Sequence, residues 1–177
     1  MKNTDLKRRA FLRGKSPRFN AMAVRPPWSI ETDSFINSCE RCNQCIDSCP
    51  EEIIIKGDGG YPEVDFKQGS CTFCAKCVDA CHTGSFQYFN SPPPHDICSE
   101  PVKAWIPDVN IKTSCLSLNA VVCRMCGDNC EEDAIQFRLQ LGGISIPIID
   151  NDKCTGCGEC LYICPKDAIS IKNRSFV

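Results

Sequence analysis

Cys39-Glu40-Arg41-Cys42-Asn43-Gln44-Cys45-Ile46-Asp47-Ser48-Cys49-Pro50 is the stretch on which the reading of this chain turns. Its C-x2-C-x2-C-x3-C-P spacing is that of thiolate ligands to [4Fe–4S] clusters. Three thiolates two residues apart can wrap one face of an iron–sulfur cubane and bond three of its irons. The fourth, displaced by a short helical turn, points away and reaches a neighbouring cluster, so such motifs work in pairs. Cys71, Cys74, Cys77 and Cys81 repeat the spacing, as do Cys154, Cys157, Cys160 and Cys164 before Pro165. An altered copy runs Cys115, Cys123, Cys126, Cys130, with a loop inserted after its first cysteine.

Seventeen cysteines in 177 residues allow three chemistries. Structural zinc takes two C-x2-C pairs separated by a longer loop, which does not explain three close thiols and a distant fourth. A disulfide scaffold belongs to oxidising compartments. No apolar stretch approaches the roughly 7–15 residues of a signal-peptide core or the roughly 20 of a transmembrane segment. The expectation is therefore a cytoplasmic protein whose thiols stay reduced and bind iron–sulfur clusters. Cys98 stands outside every quartet.

Charge is uneven. Residues 1–30 carry eight basic side chains against Asp5, whereas residues 31–177 carry 12 against 21 acidic ones. The acidic body argues against nucleic acid as a partner. The basic arm suits an acidic protein surface or peripheral contact with membrane headgroups, or it is a solvated tail. Its Lys7-Arg8-Arg9-Ala10-Phe11-Leu12-Arg13 resembles a twin-arginine export signal, but polar residues follow where such a signal has its apolar core. Residues 1–13 could form a short, weakly amphipathic helix before Gly14 and Pro17. In Arg25-Pro26-Pro27-Trp28 the prolines enforce extended backbone, and Trp28 is an anchor either for the following unit or for a partner.

The expected fold class is α+β: two tandem bacterial-type 2[4Fe–4S] ferredoxin units built around their clusters. The expected domains are a basic arm at 1–30, a first unit at 31–90, a Pro-rich linker at 91–114 and a second unit at 115–177. In the first unit Ile53–Ile55 and Tyr61–Phe66 read as strands around the Gly57–Gly60 turn, and Ser85–Phe89 reads as a closing strand. Gly142-Gly143 and Ile144–Ile149 repeat the turn and the returning strand. Cys42 precedes Cys74 by 32 residues and Cys123 precedes Cys154 by 31, as a duplicated supersecondary unit would show.

The crossed-ligand rule assigns Cys39, Cys42, Cys45 and Cys81 to cluster 1, and Cys71, Cys74, Cys77 and Cys49 to cluster 2. Cys154, Cys157, Cys160 and Cys130 fall to cluster 3. Cys115, Cys123, Cys126 and Cys164 fall to a cluster 4, or else form a vestigial site of free thiols. His82 and Glu131 replace the proline that follows the other fourth cysteines and are expected to alter hydrogen bonding near a sulfur; His82 as an iron ligand is the lesser alternative. No dinucleotide fingerprint, P-loop or G-x-S-x-G is present, so a carrier or accessory protein is expected rather than an enzyme.

The arginine-rich start, Arg25-Pro26-Pro27-Trp28, Gly59-Gly60-Tyr61-Pro62, Cys71-Thr72-Phe73-Cys74, the altered Cys115 set and Cys154-Thr155-Gly156-Cys157-Gly158 together resemble the NapF family, ferredoxin-type accessory proteins of periplasmic nitrate reductase systems. The resemblance covers nearly the whole chain. It implies a cytoplasmic protein that acts on the precursor of the catalytic nitrate reductase subunit before export, helping to install or reduce its [4Fe–4S] cluster. Arg8, Arg9, Phe11 and Leu12 would then be partner-binding residues. A different class of function, an electron-transfer subunit of an anaerobic oxidoreductase chain, would use the same cysteines.

Overall fold

The computed structural model describes residues 23–87, 103–142 and 144–173. Arg8, Arg9, Phe11, Leu12, the expected helix at 1–13, the proline run at 92–94, His95 and Cys98 lie outside them.

Each half uses one plan. In the first, the segment after the prolines runs antiparallel to the segment after Cys81. Ile30 N–H donates to Ser85 O at 3.1 Å and Gln87 N–H to Trp28 O at 2.8 Å, around a single bridge between Ser29 and Phe86. Between them come helix α1 (Thr32–Ser38), the one-turn helix α2 (Gln44–Asp47), the hairpin β1 (Ile54–Lys56) and β2 (Pro62–Val64), and the one-turn helix α3 (Lys76–Asp79). Glu31 caps α1, its carboxylate accepting from the Asp33 and Ser34 amides at 3.1–3.2 Å. The second half repeats the plan with β3 (Pro107–Ile111), α4 (Met125–Asp128), the hairpin β4 (Ile135–Leu139) and β5 (Ser145–Ile149), α5 (Glu159–Tyr162) and β6 (Ile169–Asn173). β3 pairs antiparallel with β6, Val109 opposite Ile171, and β4 pairs with β5, Phe137 opposite Pro147.

Two expectations change here. Residues 107–111, within the stretch read as linker over 91–114, form the outer strand of the second unit. Its alternating burial, with Pro107 and Val109 inside, is too short a pattern to stand out beside a proline run. Of the closing strand expected over Ser85–Phe89, the described residues 85–87 make one bridge at Phe86, and residues 88 and 89 lie outside the described residues.

A four-fold repeat underlies the plan. Each fourth cysteine is followed, three residues on, by a left-handed residue: Glu52, Gly84, Asp133 and Asp167, with φ of 54°, 69°, 49° and 46°. The chain thereby turns sharply and drives the next side chain inward. Ile53, Ser85, Ala134 and Ala168 are each only 1% exposed.

The first unit's core is Phe35, Ile53, Ile54, Tyr61, Phe66, Val78 and Phe86. Arg25 is sealed into it, donating to Pro62 O at 3.1 Å and pairing with Glu63 at 3.4 Å, with its guanidinium 5.9 Å from the Phe35 and Tyr61 ring centres. Burial lowers its pKa, and Glu63 opposes that shift. Arg25-Pro26-Pro27-Trp28 is thus a structural strap of the first unit, the reading that sequence left beside partner contact.

Trp105, 2% exposed, belongs to the same core cluster as Phe66 and Phe86, with Leu161 and Ile171 of the second unit packed against it. Trp105→Ala is expected to cost about 3–5 kcal/mol of stability, read by denaturation of the iron-loaded chain. A loss below about 1 kcal/mol would contradict this core role.

Candidate iron–sulfur sites

Local backbone explains why the regular quartets converge. The residue before the second cysteine is left-handed in each: Arg41 (φ 60°), Phe73 (φ 54°) and Gly156 (φ 83°). So is the residue after it: Asn43 (φ 67°), Ala75 (φ 57°) and Gly158 (φ 87°). These last three also start the one-turn helices that carry the third cysteine. Left-handed residues on both sides of the second cysteine curl the chain, and backbone of alternating hand is the kind that forms nests for anionic groups and Fe–S sites. The altered copy is built differently, since Arg124 precedes its helix with φ −131°. Its insert turns instead at Ala120 (φ 60°), is pinned by Asn119 Nδ2 donating to Cys115 O at 2.8 Å, and leaves Val122 94% exposed.

No disulfide is formed among the sixteen described cysteines. Cys39, Cys42, Cys45 and Cys81 line one small cavity, and Cys49, Cys71, Cys74 and Cys77 line another. Cys130, Cys154, Cys157 and Cys160 line a larger cavity of about 560 Å³, together with Cys71. The fourth set is gathered around Cys126, whose thiol is pushed up to about 11 by burial and by Cys115, Cys123 and Cys164. The geometry therefore groups the thiols across motifs. Among the described residues, no three His, Cys, Asp or Glu side chains are grouped as one metal ion would need. All-sulfur donors spread around a cavity suit a larger polynuclear cluster.

His82 faces away from this chemistry. Nδ1 lies 3.0 Å from Gln44 Oε1 and Nε2 lies 3.5 Å from Glu40, on the surface. The next residue does touch a thiol, Thr83 Oγ1 lying 3.4 Å from Cys81 Sγ. Phe73 N–H reaches Cys71 Sγ at 3.4 Å and Ala168 N–H reaches Cys164 Sγ at 3.3 Å. Donors of this kind tune a cluster's potential. Sequence reading missed them because two depend on the turn after a motif and the third on the left-handed Phe73 inside one; only the glycines at 156 and 158 hint at the positive φ that their counterparts adopt without one.

Burial and then neighbouring thiols push Cys45 from 9.0 to about 12. Cys77 reaches about 12 and Cys71 about 11, again chiefly by burial. Cys154, Cys157 and Cys160 shift the same way. The compact chain without iron thus favours neutral thiols. The unfolded chain ionises first as pH rises, so the stability held while both forms are protonated is lost from pH 9.0 up through about 12, the window set by Cys45 and Cys77.

Residues 38–86 and 121–168 each match the family model of a 4Fe-4S dicluster domain. Cys115 lies before the second match. The ferredoxin-type protein NapF of Haemophilus influenzae is 42% identical over 178 residues, covering 96% of this chain and 95% of its own. The chain belongs to the NapF family of ferredoxin-type proteins. The family's member from Escherichia coli K12 is 39% identical, covering 94% of both chains. A more distant relative, the ferredoxin-type protein NapG of the same organism, is 24% identical over 91% of this chain and 74% of its own. The fold is therefore two tandem 4Fe-4S dicluster domains. Among the described residues no helix is long and apolar enough to cross a membrane.

Proposed function

We propose that this chain is a cytoplasmic iron–sulfur accessory protein of a periplasmic nitrate reductase system, acting on the catalytic-subunit precursor before export. The carrying observation is its likeness to NapF proteins along nearly its whole length, supported by three cavities each lined by cysteines from more than one motif. Cys39, Cys42, Cys45 and Cys81 would hold the first cluster, Cys71, Cys74, Cys77 and Cys49 the second. Cys154, Cys157, Cys160 and Cys130 would hold the third, and Cys115, Cys123, Cys126 and Cys164 the fourth.

Bound clusters supply one-electron chemistry over a wide range of potential. The protein's part is to hold them, screen them from water and set the hydrogen bonds at their sulfurs, as Thr83 and the Phe73 and Ala168 amides are placed to do. Delivery to the precursor is then of electrons or of cluster components, and the chain is an accessory protein rather than an enzyme. Arg8, Arg9, Phe11 and Leu12 form the docking element, a basic arm on an acidic body that orients the encounter.

The test is a pull-down from cells that retain the unexported catalytic subunit. Recovery with the cofactor-poor precursor is expected, and Arg8→Ala with Arg9→Ala should weaken it while iron content stays intact. Recovery only with a mature redox complex would establish the electron-transfer subunit in its place.

A further inference from the structure

The two units meet on the ligand loops themselves. Cys71 N–H donates to Cys157 O at 2.8 Å, joining backbone next to a second-site thiol to backbone next to a third-site thiol. Cys71 lines both the second-site and the third-site cavities. Gly158 rests against the Phe66 ring, which any Cβ at that position would overlap. A Cβ on Gly156 would stand 3.4 Å from both Pro107 and the Trp105 ring. Trp105 locks the seam, its Nε1–H donating to Arg25 O at 2.9 Å and its ring edge-on to Phe66 and Phe73, each at 5.9 Å. Packing alone could have joined the halves anywhere along their apolar surfaces.

We infer that this seam is a redox contact: Cys71, Cys157, Gly158 and Trp105 position the second and third cluster sites against each other, making the four sites one series instead of two separate pairs. The inference rests on the ligand assignment proposed above. Within each unit the sites are adjacent as well, for the one-turn helices α2 and α3, which carry Cys45 and Cys77, pack together, as do α4 and α5, which carry Cys126 and Cys160. The first and fourth sites are then the terminals. One electron from a reduced ferredoxin or flavoprotein enters at one end and the same electron leaves to an oxidised cluster of the partner at the other, with no atom or proton transferred. Cys71, Cys157, Gly158 and Trp105 act in this as positioning residues.

The test uses the full, iron-loaded chain with the outer sites removed by Cys39→Ala and Cys42→Ala together with Cys123→Ala and Cys126→Ala. Iron should fall to half. On full reduction, low-temperature electron paramagnetic resonance should show the broadened spectrum of two interacting centres. Two independent, additive signals would overturn the contact. Iron that does not fall by half would overturn the ligand assignment and the series with it.

A second variant leaves every ligand in place. Gly158→Ala in the four-site chain should keep its iron, since Ala75 holds a left-handed φ of 57° at the matching position of the second motif, but lose the interaction between the halves. A Gly158→Ala spectrum identical to wild type would overturn the contact.

Discussion

Stripped of iron by an anaerobic chelator, the chain is expected to lose nearly all its defined structure. The reason is how little regular structure supports itself. Among the described residues, four of the five α-helices are four residues long, far below the roughly 12–15 at which an isolated helix becomes marginal. All three sheets among the described residues are two-stranded, and a lone hairpin is marginal at best. The buried apolar set is divided between two units of about 60 residues each, a size at which metals commonly supplement the core. Without iron, the thiol-lined cavities would be left as packing defects. Cluster binding is thus coupled to folding. Far-UV circular dichroism and protease digestion should both show collapse; an iron-free sample with an unchanged spectrum and unchanged protease resistance would contradict this.

The second large effect concerns which thiols share a cluster. Cys49→Ala should empty the second site and leave the first loaded, although Cys49 sits in the first motif, because it lines the cavity of Cys71, Cys74 and Cys77. Cys81→Ala should do the reverse, since it lines the cavity of Cys39, Cys42 and Cys45. Each loss amounts to one cluster, about 4 irons. Double variants make the pairing explicit. Adding Cys74→Ala to Cys49→Ala should remove no further iron, whereas adding Cys42→Ala should remove a second cluster. The opposite pattern would mean that each motif ligates only its own cluster.

Much of this molecule could be read in its cysteines. Their spacing announces the donor set, and three cavities of the folded chain are each lined by cysteines from more than one motif. The hairpins at 54–64 and 135–149 followed from β-branched runs around glycines. Trp105 could not be placed, because a tryptophan beside a proline-rich stretch carries no periodicity, and its partners Phe66, Phe73 and the Arg25 carbonyl come from distant segments. β3 was missed for a similar reason: its partner β6 lies some 60 residues away. The left-handed turns at Arg41, Asn43, Phe73 and Ala75 were illegible because none is a glycine. Tertiary closure around the sites, not local propensity, selects that backbone.

Iron and acid-labile sulfide per chain, measured on anaerobically purified protein, test the central claim most directly. Four cubanes on sixteen thiols predict about 16 of each. A folded and fully active chain that is colourless and iron-free would contradict it.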